Sequence, residues 1–162
     1  MSPIEYIEQT RERFAKQGFP PYKWTENADC PYWTPLQKPL EECRVALLST
    51  GGLYIKDKQP PFNPDRDDLT FREIPKDVDT RTLGISHDNY DHADAEKDVN
   101  CIFPIERLSD LERQGYIGQF APMAYTMMGR IFRRTALQQE LAPQILQKLE
   151  EAGVDVFLLV PA

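Results

Sequence analysis

Residues 135–160 read TALQQELAPQILQKLEEAGVDVFLLV, and this stretch decides the fold class. Leu137, Leu141, Ile145, Leu146 and Leu149 recur at helical spacing, so a helix is expected from about Thr135 to Ala152. Pro143 falls inside it. Proline has no N–H to give the preceding turn and its ring crowds a carbonyl there, so the helix should kink or divide. Gly153 stops the helix. The run Val154–Val160 that follows is apolar apart from Asp155, as in a strand buried on both faces of a parallel sheet. Helix, glycine and buried strand in that order form the αβ half of a right-handed crossover. The fold class is therefore α/β, with a mostly parallel open sheet flanked by helices.

Upstream, RVALLST at 44–50 is a second apolar run and a second buried strand, closed at once by Gly51 and Gly52. LTFREI at 69–74 alternates imperfectly and is expected as a strand. Residues 56–68 and 84–100 are polar loops. Pro104 opens a helix through Leu111 with Gly115 as its stop, and 116–125 is extended. At the N-terminus Ser2 is the N-cap, Pro3 the first helical residue and Glu5 the partner in a capping box. Ile4, Ile7 and Phe14 share one face of that helix, and Gly18 ends it.

The segment FPPYKWTENADCPYWTPLQKPL at 19–40 has neither period, yet it is too rich in rings for a flexible linker. It is expected to be an ordered Pro/aromatic arm, with Tyr22, Trp24, Tyr32 and Trp33 laid on the domain or on a partner. The chain thus divides into a helix and arm (1–43) and an α/β domain (44–162), together one globular unit.

The bulk numbers exclude several roles. With 19 Lys plus Arg against 26 Asp plus Glu, the formal charge is −7, which repels phosphate backbones and argues against nucleic acid as a partner. No apolar run approaches the ~20 residues that span a bilayer, and MSPIEYIEQTRERF lacks the apolar core of a secretory signal. A cytoplasmic protein with no membrane partner is expected. Cys30, Cys43 and Cys101 are odd in number and widely spaced, so they should remain thiols.

Open parallel sheets hold ligands at the carboxyl ends of their strands, which draws attention to Ser49, Thr50, Gly51 and Gly52. Their N–H groups and hydroxyls could hold a substrate carboxylate, or the glycines could simply make a tight turn. Arg72 could clamp a carboxylate or pair with Glu73. His87, Tyr90, Asp91 and His92 cluster in the second polar loop. His87 suits proton transfer. His87 and His92 are the available metal candidates, but their separation by five fits neither a helical pair nor one strand face, so no metal is assigned. Cys43 and Cys101 read as small packing residues. Met123, Met127, Met128 and Tyr125 read as core. An apolar last strand with no helix after it invites association, so either a homo-oligomer or a domain incomplete at its C-terminus is expected.

Several stretches, in order, resemble the selenoprotein B family of the glycine, sarcosine, betaine and D-proline reductases. They are VALLSTGGLY at 45–54, LTFREIP at 69–75, ISHDNYDHADAEKDVNCIFPIERL at 85–108, GYIGQFAPMAYTMMG at 115–129 and GVDVFLLVP at 153–161. The resemblance implies an oxidoreductase subunit for reductive cleavage. It places a cysteine or selenocysteine just after the stretch that ends at Ala162, and a pyruvoyl group on a partner reductase subunit. It favours His87, with Tyr90 and Asp91, as catalytic. The chain is then expected to be inactive alone, for want of that nucleophile. Two alternatives stand beside it: a non-catalytic oligomerisation or partner-binding module, and a metal-dependent enzyme built on the His87–His92 loop.

Overall fold

The computed structural model describes residues 5–21, 34–63, 67–88 and 90–162. The chain forms two compact units, one ending at Pro35 and one running from Leu36 to Ala162. In the first, helix α1 (Tyr6–Lys16) has Glu5 at its N-cap and buries no residue. Gly18 at φ +77° closes it, and the rings of Phe14 and Phe19 meet at 6.0 Å. Ser2, Pro3 and Ile4, and the four arm aromatics, lie outside the described residues. Residues 36–43 fall within the second unit. Leu40 and Cys43 accept backbone hydrogen bonds from Gly118 and Gln119, and Cys43 is fully buried.

The second unit is α/β. Strand β1 (Arg44–Ser49) lies at the centre of a five-stranded sheet. β7 (Val156–Val160) runs parallel to β1 in unbroken register from Val45↔Val156 to Ser49↔Val160. Two short strands, β5 (Gln119–Phe120) and β6 (Met123–Met127), also pair parallel with β1. Three steps along β1, Val45 to Leu48, face five along the partner, Phe120 to Tyr125. Ala121 still donates its N–H to the Val45 carbonyl at 2.8 Å, and the extra residues follow from Pro122, which offers no N–H to the ladder. β3 (Phe71–Pro75) pairs antiparallel with β6. A separate ribbon joins β2 (Leu53–Ile55) and β4 (Leu83–Ile85).

β1 alternates between two cores, as the two-residue period of a strand requires. Val45 and Leu47 face one cluster with Phe103, Ile105 and Leu108; the last two belong to helix α2 (Ile105–Arg113). Ala46 and Leu48 face the other with Leu141, Ile145 and Leu149. The long helix of the sequence is present in three pieces: α3 (Arg134–Ala136), a π-helical turn (Leu137–Leu141) and α4 (Ala142–Glu151). The wide turn directly precedes Pro143, whose missing N–H forbids the ordinary bond one turn back. Leu146 is 54% exposed and lies off the apolar face on which the sequence pattern put it. Leu47 has no exposed surface, so Leu47→Ala should cost about 2–5 kcal/mol.

β7 departs from the expected doubly buried strand. It is an edge strand, with Leu158 and Leu159 exposed. Asp155 accepts the Arg44 N–H at 2.7 Å and an ion pair from Lys38 at 2.7 Å, fastening the strand at its start. Among the described residues no helix is long and apolar enough to cross a membrane.

Candidate active site at the carboxyl end of the central strand

β1 ends at Ser49, and the chain turns sharply through Thr50, Gly51 and Gly52. Ser49 is fully buried, and its hydroxyl accepts the Gly51 N–H at 3.0 Å. Thr50 N–H donates to the Val160 carbonyl at 3.0 Å, and Gly52 N–H to the Met127 carbonyl at 3.0 Å. The three N–H groups that follow β1 are thus engaged within the protein. Gly52 sits at φ +66°, and a Cβ there would lie 2.8 Å from the Met128 sulfur and 3.2 Å from the His87 backbone nitrogen. Both the backbone angle and the close approach call for glycine.

That close approach brings the polar loop onto the turn. Ser86 N–H donates to the Gly52 carbonyl at 2.9 Å. His87 is buried, and Tyr90 donates its hydroxyl to the Gly51 carbonyl at 3.2 Å. The Tyr90 ring contacts both imidazoles, 5.1 Å from His87 and 4.6 Å from His92. Burial pushes the His87 pKa below its ordinary value, with Asp88 opposing and His92 and Arg130 adding to the shift. Burial likewise pushes the Tyr90 hydroxyl up to about 12, with Cys101 adding to it. At neutral pH the site therefore holds a neutral imidazole and a protonated phenol.

The structure thus gathers Ser49, Thr50, Gly51, Gly52, His87, Tyr90 and His92. Asp91 stands apart from the ring stack. It is exposed, and its carboxylate accepts the Ala93 N–H at 2.9 Å, as an Asx-turn does. Arg72 is level with Thr126, and Thr126 is level with Ser49, so Arg72 lies two strands over, about 10 Å away. Its guanidinium lies 4.0 Å over the Phe62 ring and donates to the Pro60 carbonyl and the Thr70 hydroxyl. Glu73 pairs with Lys148, at 2.9 Å, and not with Arg72. Among the described residues no three His, Cys, Asp or Glu side chains converge as a metal site would need. His87 and His92 instead share the Tyr90 ring.

Three further residues belong to this edge. Thr126 is fully buried and its hydroxyl accepts the Leu53 N–H at 2.9 Å. Arg130 follows β6 and acts electrostatically on His87. The rule that ligands gather at the carboxyl ends of strands could have found it once the segment 123–127 was read as a strand. Cys101 is exposed, against the expectation of a packing residue, and acts on Tyr90.

The sequence as a whole is similar to known proteins. The family described as glycine/sarcosine/betaine reductase selenoprotein B matches residues 22–162. The D-proline reductase subunit gamma of Acetoanaerobium sticklandii is 38% identical over 130 residues, which cover 80% of this chain and 52% of that protein. The betaine reductase complex component B subunit beta of Peptoclostridium acidaminophilum is 30% identical over 129 residues, 73% of this chain and 28% of that one. The glycine reductase complex component B subunit gamma of Carboxydothermus hydrogenoformans is 27% identical over 133 residues, 77% and 29% respectively. The chain thus spans about half the length of the first of these relatives and under a third of the other two. No solved structure matches it.

Proposed function

The chain belongs to the glycine/sarcosine/betaine reductase selenoprotein B family, and from that premise we propose that it frames the reacting centre of a subunit for reductive cleavage of a small amino acid or betaine. The observation that carries the reading is the packing of His87 and Tyr90 onto Gly51 and Gly52 at the carboxyl end of β1. Glycine, sarcosine, betaine and D-proline are the substrates to test, being those for which its relatives are named.

A cysteine or selenocysteine following Ala162 in a longer form would supply the soft anionic nucleophile that displaces the amino group. The surrounding residues fit such a group. The Ala162 N–H donates to the Thr50 hydroxyl at 3.0 Å, so a residue carried onward from there starts at the same turn that His87 packs against. His87, held neutral by burial, would take up or return a proton. Tyr90 stays protonated and acts as a donor that orients the Gly51 carbonyl. The chain alone would be silent in catalysis. Its partner would be a reductase subunit bearing a pyruvoyl group that binds the substrate amine. A reducing cytoplasm would keep Cys43 and Cys101 as thiols.

The test is the reading frame and its product. A frame that continues past codon 162 into a cysteine or a selenocysteine codon supports the reading, provided that the full product with its partner subunit and a dithiol cleaves one of the four substrates. A frame closed by ordinary stops, with no cleavage, overturns it.

The β7 edge favours a second reading, a non-catalytic oligomerisation or partner-binding module. Leu159 is 61% exposed on an edge strand, and an apolar strand edge is a template for pairing.

A further inference from the structure

Two exposed segments of opposite charge flank the carboxyl end of β1. One begins at Gly129, where a Cβ would lie 3.1 Å from the Thr50 hydroxyl oxygen, and runs on as Arg130, Ile131, Phe132, Arg133 and Arg134. It places three positive charges in five residues of a chain whose net charge is −7. The other is the loop from Asp88 to Asp98, in which five carboxylates, Asp88, Asp91, Asp94, Glu96 and Asp98, outnumber the single cation Lys97. All five acidic residues are exposed. His87 lies where the two segments meet: Asp88 and His92 from the loop, and Arg130 from the basic segment, all act on it electrostatically.

The basic segment also holds an apolar ring out in water. Phe132 is 74% exposed, more than any other large apolar residue among those described. Its backbone is nevertheless fixed. The N–H groups of Phe132 and Arg133 both donate to the Asp67 carboxylate, at 3.1 and 2.7 Å, and the Arg134 N–H donates to the Phe132 carbonyl at 2.9 Å. The Arg130 guanidinium stands 5.5 Å from the ring centroid. Arg133 approaches Glu140 only to 4.0 Å, with both side chains more than half exposed, a contact that water screens. A ring left in water forgoes the gain of burial, and rigidly held aromatic and arginine side chains are those that anchor protein interfaces. The acidic loop keeps its charge in solvent as well. Asp94 pairs with Lys97 at 3.1 Å where both side chains are at least three-quarters exposed, and Asp91 accepts the Ala93 N–H.

A surface that carries both signs side by side complements itself under a two-fold rotation, because each patch then meets its opposite on the other copy, twice over. We infer that this edge is a docking surface for a second copy of the chain, with the Arg130–Arg134 segment of each copy against the Asp88–Asp94 loop of the other and Phe132 seated in the contact. The two-fold axis passes beside His87, and the Ser49–Gly52 turns of the two copies come to lie next to the contact. A second copy fits better than a polyanion such as nucleic acid or an anionic membrane, which would be drawn to the basic half and repelled by the acidic half. This surface is separate from the β7 edge, whose exposed residues Leu158 and Leu159 carry no charge. It does not depend on the reductase reading.

The test is analytical ultracentrifugation of the full chain with paired charge reversals. In about 0.01 M salt the parent protein should dimerise with a dissociation constant on the order of 10 μM, and in about 1 M salt at least about ten-fold more weakly. Arg133→Glu with Arg134→Glu should be monomeric, and so should Asp91→Lys with Asp94→Lys. Mixed in equal amounts, the two variants should form a heterodimer within about ten-fold of the parent affinity, since the two-fold pairing then sets opposite charges together at both contacts. Phe132→Ser should weaken the dimer at least about ten-fold with an unchanged circular dichroism spectrum. Leu159→Lys should leave it as it is. Should the lysine pair fail to fold, Asp91→Asn with Asp94→Asn keeps the side-chain oxygen that accepts the Ala93 N–H and should weaken the dimer about ten-fold. A monomer at concentrations up to about 1 mM, a dimer indifferent to salt or to every loop variant that folds, folded reversal variants that do not associate on mixing, or a dimer abolished by Leu159→Lys would each overturn the inference. Substrate cleavage plays no part in these measurements, so their failure is distinguishable from failure of the proposed reductase role.

Discussion

The hydroxyl of Tyr90 donates to the carbonyl oxygen of Gly51 at 3.2 Å, tying the loop that carries both histidines to the end of the central strand. Tyr90→Phe removes this bond and keeps the ring between His87 and His92. The expected cost is about 1 kcal/mol in urea denaturation. Hydrogen exchange should quicken at residues 86–92, and not in β1 or β7.

Acid should weaken the fold through His87. Its folded pKa lies below the ordinary 6.5, chiefly because it is buried. The unfolded chain therefore binds the proton first as the pH falls through 6.5. Stability is undiminished above that value and declines below it, with a slope of at most about 1.4 kcal/mol per pH unit. His87→Gln should flatten this part of the stability–pH curve. A second decline should follow in stronger acid, below 3.8, where Asp68 and Asp155 have lowered values. That one should remain in the variant.

Gly52→Ala should be among the more damaging single-methyl changes in the molecule. The left-handed backbone costs roughly 1–2 kcal/mol for a residue with a side chain. The added Cβ also meets the Met128 sulfur at 2.8 Å and the His87 backbone nitrogen at 3.2 Å. A loss of at least about 2 kcal/mol is expected by denaturant unfolding. Gly115→Ala is the control: it shares a positive φ but meets nothing within 4 Å, so only the backbone cost should appear.

Leu159→Lys should leave unfolding stability within about 0.5 kcal/mol, because the side chain is largely exposed. If the β7 edge mediates self-association, the variant should sediment as a smaller species than the parent protein at equal concentration. Equal sedimentation of the two would remove that edge as the contact.

The sheet was legible where the residue pattern is long. RVALLST and the Leu137–Val160 stretch gave β1, the divided helix and β7, because apolar runs and a helical period survive in any context. β2 and β4 escaped because three residues are too few to display a period of two. The exposure of β7 escaped because its apolar residues read alike whether a neighbour covers them or not. At the candidate site, strand-end position singles out the glycines and loop composition the histidines, but no local pattern shows that Gly52 packs on His87, thirty-five residues away. The Arg72 guanidinium lies on the Phe62 ring and donates to the Pro60 carbonyl, contacts with residues ten and twelve positions away that no local pattern displays.

The in-register parallel pairing of β1 with β7 has a mechanical consequence. The five matched residues from Val45↔Val156 to Ser49↔Val160 lie side by side. Asp155 anchors one end to the Arg44 N–H, and the Thr50 N–H and hydroxyl hold Val160 and Ala162 at the other. Tension drawn on Ala162 against Arg44 pulls the two strands in opposite directions along their length. All the rungs between them are then loaded together in shear, whereas an antiparallel edge peeled from its tip would yield one rung at a time. The last strand should resist extraction by force far better than its solvent-exposed leucines suggest.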